Sequence, residues 1–66
     1  MKFDIGDLVD YRLGPTTPIY TGVILKKVWR EEDGSIWFYK IYFISEEDEA
    51  WICEHDIRTY GGFDGI

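Results

Sequence analysis

The nine residues from Ile36 to Ile44 form the most apolar stretch of the chain, and nearly all are β-branched or aromatic, side chains that suit a pleated surface. The stretch predicts a central strand. Alternation puts Trp37, Tyr39, Ile41 and Phe43 on one unbroken apolar face, and Ile36, Phe38, Lys40 and Tyr42 on a face interrupted by a charge. The first face is the expected core. The second keeps enough aromatic surface to pack under a neighbouring segment or to meet a partner.

The remaining pattern places four more strands around it. Phe3 and Ile5 alternate as if to cover one end of the fold, and the run from Gly6 to Arg12 reads as a tight turn feeding a first strand, with Val9 and Tyr11 on one face and Asp10 and Arg12 solvated on the other. Leu13 to Pro18 holds Gly14, Pro15 and Pro18 and reads as a loop, because proline removes a ladder hydrogen bond. Ile19 to Arg30 is a second strand about twice the usual length, and its glycine and uneven apolar pattern predict a bend or bulge. Shared between two small sheets, such a strand would curve strongly.

Glu31 to Ser35 is a polar connection whose Asp33-Gly34 pair signals a hairpin. That hairpin sets Lys40 across from Lys26 or Lys27, an unfavourable pairing unless a carboxylate lies nearby. Ser45 to Glu49 reads as a second solvated turn with four consecutive carboxylates. Ala50 to Cys53 is the returning strand, Glu54 to Asp56 a short 3-10 turn, and Ile57 to Tyr60 the last strand. The predicted class is all-β: a small five-stranded barrel over residues 1–60, closed or nearly so, with a glycine-rich tail at 61–66 whose Phe63 and Ile66 could dock on a groove.

Composition narrows the function. With 66 residues, 45 % hydrophobic and 18 % aromatic, the chain is one compact domain rather than a disordered segment. Its lone Cys53 excludes an internal disulfide and favours a reducing compartment. No apolar run approaches a membrane span and no signal segment is evident, so a soluble protein is expected, cytoplasmic or, if phage-encoded, associated with the virion. Thirteen acidic against seven basic residues leave a net charge of −6. That charge disfavours nucleic acid and steers basic partners toward the protein.

The order Gly6-Asp7-Leu8-Val9, Tyr20-Thr21-Gly22-Val23-Ile24, Tyr39-Lys40-Ile41-Tyr42-Phe43, Trp51-Ile52 and Asp56-Ile57-Arg58 resembles the Tudor-like branch of the SH3-like barrels, over about Asp4 to Tyr60. The resemblance implies a five-stranded barrel with a 3-10 turn before its last strand. It also implies a place for an aromatic cage that reads methylated lysine or arginine. Tyr20 and Phe43 match two cage positions, while Leu13 and Ala50 stand at the other two. A working cage would then draw on Tyr11, Tyr42 or Trp51, giving a candidate set of Tyr11, Tyr20, Tyr42, Phe43 and Trp51 around a cation. Stand-alone barrels of this brevity resemble accessory or virion parts encoded by bacteria and phages, which implies a place in a larger assembly.

Candidate chemistry is sparse. The carboxylates of Glu46 to Glu49 are consecutive rather than alternate and lack the turn glycine of a calcium loop. Cys53 and His55 are one of each where zinc needs three or four ligands, so no metal or other cofactor is expected. A Cys-His nucleophile has little room for a substrate cleft here, so no enzymatic activity is expected. Lys26, Lys27, Arg30 and Lys40 beside Trp29 and Trp37 would suit single-stranded nucleic acid, against the sign of the whole chain. Three tryptophans cannot all be buried in so small a core, and exposed tryptophan anchors interfaces. The leading expectation is a non-catalytic protein interaction module that meets a basic or mixed partner surface through Tyr20, Trp37, Tyr42 and Trp51 and the acidic residues Glu46, Glu47, Asp48 and Glu49. The alternatives are a nucleic-acid-binding barrel, a methylated-residue reader and an acidic inhibitor of a host factor.

Overall fold

The computed structural model describes residues 3–32 and 34–63. Asp33 of the hairpin signal and Ile66 of the tail lie outside the described residues, as do residues 1, 2, 64 and 65. Five strands, β1 (Leu8–Arg12), β2 (Ile19–Arg30), β3 (Ile36–Phe43), β4 (Asp48–Cys53) and β5 (Ile57–Thr59), with a 3-10 turn at Glu54–Asp56, build one antiparallel sheet in the order β4-β3-β2-β1-β5.

The length of β2 determines the shape. Its first half pairs with β1 from Ile19 to Val23, and its second half pairs with β3 from Gly22 to Arg30. A register shift between Ile24 and Lys26 leaves Leu25 as a bulge in the middle. An extra residue on one strand bends it and strengthens the local twist, so the sheet curls into a barrel-like form. The ladder does not close, and β4 and β5 remain as its two edges.

Within this curl, Val9, Ile24, Tyr39, Ile41 and Ile57 are fully buried, with Phe3 and Phe43 nearly so and Trp37 half-buried against them. These are the inward positions expected of β3, joined by inward positions of β1, β2 and β5. Phe3 closes one end, edge-on to the Tyr39 ring at 5.6 Å. Ile5, expected beside it, is exposed instead, because Gly6 (φ +93°) turns the chain there and hands its N–H to the Ile24 carbonyl at 2.8 Å. Trp29 and Trp51 remain about half exposed, as the size of the core requires.

Gly22 is the point of closest approach between β2 and β3. A Cβ there would strike Ile41 Cγ2 and lie 2.6 Å from the Tyr42 carbonyl oxygen, which explains glycine without any unusual backbone angle. In the β2–β3 hairpin, Gly34 and Ser35 take left-handed φ of 94° and 59° and both donate to the Glu31 carbonyl.

Three expectations are corrected by packing. Asp10 is buried at 3 % exposure rather than solvated: Thr21 Oγ1 donates to one carboxylate oxygen at 2.7 Å and the Gly61 N–H to the other at 2.8 Å. The start of the tail is thereby tied to β1, and Phe63 lies under the Arg58 guanidinium at 5.4 Å. Arg12 is half-buried, because its guanidinium donates to the Gly14 and Pro15 carbonyls and organises the loop that follows. Finally, β4 begins at Asp48, so only part of the acidic run is turn.

Candidate binding cleft

Tyr11 and Tyr20 are register partners on β1 and β2, and both point to the concave side, toward Phe43 near the end of β3. The Tyr11 and Phe43 ring centroids are 5.8 Å apart with planes tilted by 49°; Tyr20 and Phe43 are 6.4 Å apart at 74°. Gly22, opposite Phe43, leaves room for this meeting, since a Cβ would come within 3.2 Å of the Phe43 ring. Glu46, Asp48, Glu49 and Ala50 complete the lining of a cleft of about 230 Å³.

The turn after β3 brings the carboxylates in. Glu47 adopts left-handed φ of 51°, which reverses the chain so that Glu46 and Asp48 both face the rings while Glu47 stays outside the lining. Glu49 has its own cation, the Lys40 ammonium at 2.9 Å. Among the described residues, Glu46 and Asp48 have none. Three ring systems and two uncompensated carboxylates therefore converge on one small volume. Ring faces attract cations through their quadrupole, and adjacent anions add Coulombic attraction that weakens with salt.

Of the residues named from sequence, the structure brings Tyr11, Tyr20, Phe43, Glu46, Asp48 and Glu49 to this cleft, with Ala50 beneath them. Leu13 is exposed elsewhere. Tyr42 and Trp51 lie on the convex side of the sheet, opposite Val23 and Lys40 respectively. Trp37 sits at the far end of the concave side, 5.5 Å from Trp29 and stacked on Tyr39. The expected grouping of Tyr20, Trp37, Tyr42 and Trp51 is thus split over both faces, because even and odd positions of one strand cannot share a side.

Of the four basic residues, Lys27 is parted from Lys26, Arg30 and Lys40. The bulge at Leu25 shifts the phase of β2, so Lys26 pairs with Lys40 on the convex side while Lys27 pairs with Tyr39 on the concave side. There the Lys27 ammonium lies 3.0 Å from Asp4 Oδ1 and 5.7 Å from the Trp37 ring centroid. The hydrogen bond from Lys27, with help from the Ile5 N–H, holds Asp4 below the usual carboxylate range. A continuous basic strip across the hairpin does not form.

A larger groove of about 510 Å³ opens on the convex side, lined by Val28, Arg30, Phe38 and Trp51. Cys53 is half-buried and accepts the His55 N–H at 3.4 Å, capping the 3-10 turn, and His55 is exposed. Among the described residues no group of three or more metal-ligating side chains is placed to hold an ion, and no helix is long and apolar enough to cross a membrane. The burial of Asp10 and the pairing of Tyr11 with Tyr20 follow from the β1–β2 register, which hydropathy along one strand does not encode.

No protein-family model, curated protein or solved structure matches the chain.

Proposed function

We propose that this protein is a non-catalytic interaction module that captures a cationic side chain of a basic partner protein in the cleft formed by Tyr11, Tyr20 and Phe43 and rimmed by Glu46 and Asp48. The observation that carries this reading is the convergence of three aromatic rings with two carboxylates that have no cation of their own among the described residues. Rings alone would suit any apolar group, and carboxylates alone any solvated cation. Together they select a cation with an apolar coat.

Methylated lysine is the side chain that best combines those two properties, because its methyl groups contact rings while the charge is retained. The strand order also fits the Tudor-like branch of SH3-like barrels, which the sequence resembles. Tyr11 supplies the ring that Leu13 and Ala50 do not. A partner rich in lysine or arginine would be drawn in by the net charge of −6, and such a module serves as one subunit of a larger assembly.

Calorimetric titration with a lysine-rich peptide carrying one trimethyl-lysine tests the reading. Binding should weaken about tenfold for Tyr20→Leu, the loss expected from removing one desolvated cation–π contact. Asp48→Asn should weaken it less and flatten its salt dependence. Equal affinity for all three proteins would refute the proposal.

A further inference from the structure

The two edges of the sheet are unequal. β5 spans three residues and soon runs into a turn in which the Gly62 N–H meets the Thr59 carbonyl at 2.7 Å, too short a strand to template another. β4 spans six, without proline or glycine, and pairs with β3 in one unbroken register from Phe43–Asp48 to Phe38–Cys53. Its first four residues are exposed, and among the described residues no strand lies on its outer side. Such an edge offers the N–H and C=O of every second residue to an incoming chain. β4 is also a wall of the aromatic cleft. Pairing puts Asp48, Ala50 and Ile52 on the concave side, in register with Phe43, Ile41 and Tyr39, and Glu49 and Trp51 on the convex side. Asp48 and Ala50 line the cleft. Ala50 is the smallest of the three concave side chains, so a side chain arriving from beyond β4 has only a methyl group to pass over before it meets the rings.

We propose that a basic segment of the partner protein adds to the sheet as a sixth strand along the outer edge of β4, and that it delivers its lysine into the cleft from the position opposite Ala50. This inference rests on the reading of the cleft as a cation site. Alternation then places the residues on either side of that lysine on the convex side, beside Glu49 and Trp51, and the residues two away on the concave side, beside Asp48 and Ile52. Backbone pairing supplies affinity that is indifferent to sequence, and the cleft supplies selectivity for one side chain. Charge decides the occupant. Glu46 and Asp48 have no cation among the described residues, and Asp48 and Glu49 give the first third of the edge a negative sign. A second copy of this chain would bring its own net charge of −6 and the same two acids to that edge, which like-charge repulsion disfavours. A lysine-rich segment is attracted instead.

The test is a titration of the isotopically labelled full chain with trimethyl-lysine capped at both ends, and with a capped heptapeptide of lysine and threonine that carries trimethyl-lysine at position four. Two further heptapeptides are methylated on backbone nitrogens, one at residues three and five, the other at residues two and six. In an extended strand these two sets of N–H groups point to opposite edges, so only one set can face β4. Ring shifts at Tyr11, Tyr20 and Phe43 are expected with both the capped residue and the heptapeptide. The heptapeptide should bind about tenfold tighter and slow solvent exchange at alternate amides of β4. One backbone-methylated peptide should lose about that tenfold and the other little, and moving trimethyl-lysine to position three should exchange the two effects. Equal affinity of the capped residue and the heptapeptide, or equal losses from both methylated sets, would overturn strand addition and leave the cleft reading standing. Absence of ring shifts with either ligand would remove the cleft reading and this inference with it. Protection of the β4 amides that grows with protein concentration and without ligand would assign the edge to a second copy, and so overturn the proposal.

Discussion

The Lys40 ammonium lies 2.9 Å from the Glu49 carboxylate on the neighbouring strand, and this contact resolves a repulsion built into the hairpin. Lys40 is the direct partner of Lys26 across β2 and β3. Like charges at that separation destabilise a sheet, and Glu49, the next outward position on β4 from Trp51, draws one of them aside. Glu49→Gln should therefore cost about 0.5–1 kcal/mol, at the upper end for partly exposed pairs, and the loss should shrink in high salt. Lys26→Thr in the Glu49→Gln background should recover part of it, as a double-mutant cycle in urea would show.

Asp10 ties the beginning of the tail to the sheet through the Gly61 N–H. Asp10→Ala removes the acceptor of that N–H and of the Thr21 hydroxyl, two part-buried hydrogen bonds to a charged group, a loss of about 1–2 kcal/mol. Hydrogen exchange at the Gly61 amide should accelerate more than at Ile24, since the tail opens before the core does. Equal acceleration at both would mean that Asp10 stabilises only the global fold.

Tyr39 titrates against the fold. Its ring is fully buried, and its hydroxyl has no hydrogen-bond partner of normal geometry among the described residues, although the Phe3 backbone approaches it. Burial pushes its ionisation above the ordinary value of 10.0, and Glu54, Asp4 and Asp7 push in the same direction. The folded state holds the proton more tightly than the unfolded chain, so this stabilisation is complete below about pH 10 and is lost as pH rises through the folded value. Tyr39→Phe should flatten that alkaline loss of stability. At neutral pH it should change stability by no more than about 0.5 kcal/mol, because the hydroxyl that is removed had no partner to lose.

Gly22 links the fold to the cleft. Gly22→Ala pushes a methyl into Ile41 and the Tyr42 carbonyl, with little room for the backbone to yield. We expect a loss of about 2–3 kcal/mol, the upper range for overpacking, measured by urea unfolding. The same change displaces Phe43 from Tyr20, so ligand affinity should fall along with stability.

Much of the architecture was legible along the chain. The place of β1, the span of β2, the extent of β3 to within its final residue, the 3-10 turn and the irregularity in β2 all follow from local signals: alternation, proline and glycine, and a strand too long to remain straight. A clash of Lys40 with Lys26 or Lys27, and the need for a nearby carboxylate, also followed from hairpin register; the structure makes the partner Lys26. What was not legible depends on which strands meet across the sheet. Asp10 looks like a solvated residue until Thr21 and Gly61 are brought beside it. Alternation alone parts Lys26 from Lys27, but only the bulge at Leu25 decides that Lys26 faces the convex side and Lys27 the concave one. Trp37 and Tyr20, both aromatic and both near one strand end or the other, lie at opposite ends of the concave face because β2 and β3 are antiparallel and long.

The cleft is the centre of the functional account, and contact with the bound cation tests it most directly. Isotope-filtered nuclear Overhauser measurements on the labelled protein with a trimethyl-lysine peptide would detect protein protons close to the ligand methyl groups. The account predicts contacts from those methyl groups to the rings of Tyr11, Tyr20 and Phe43. Contacts confined to Phe38 and Trp51 on the convex face, or none at saturating peptide, would contradict it.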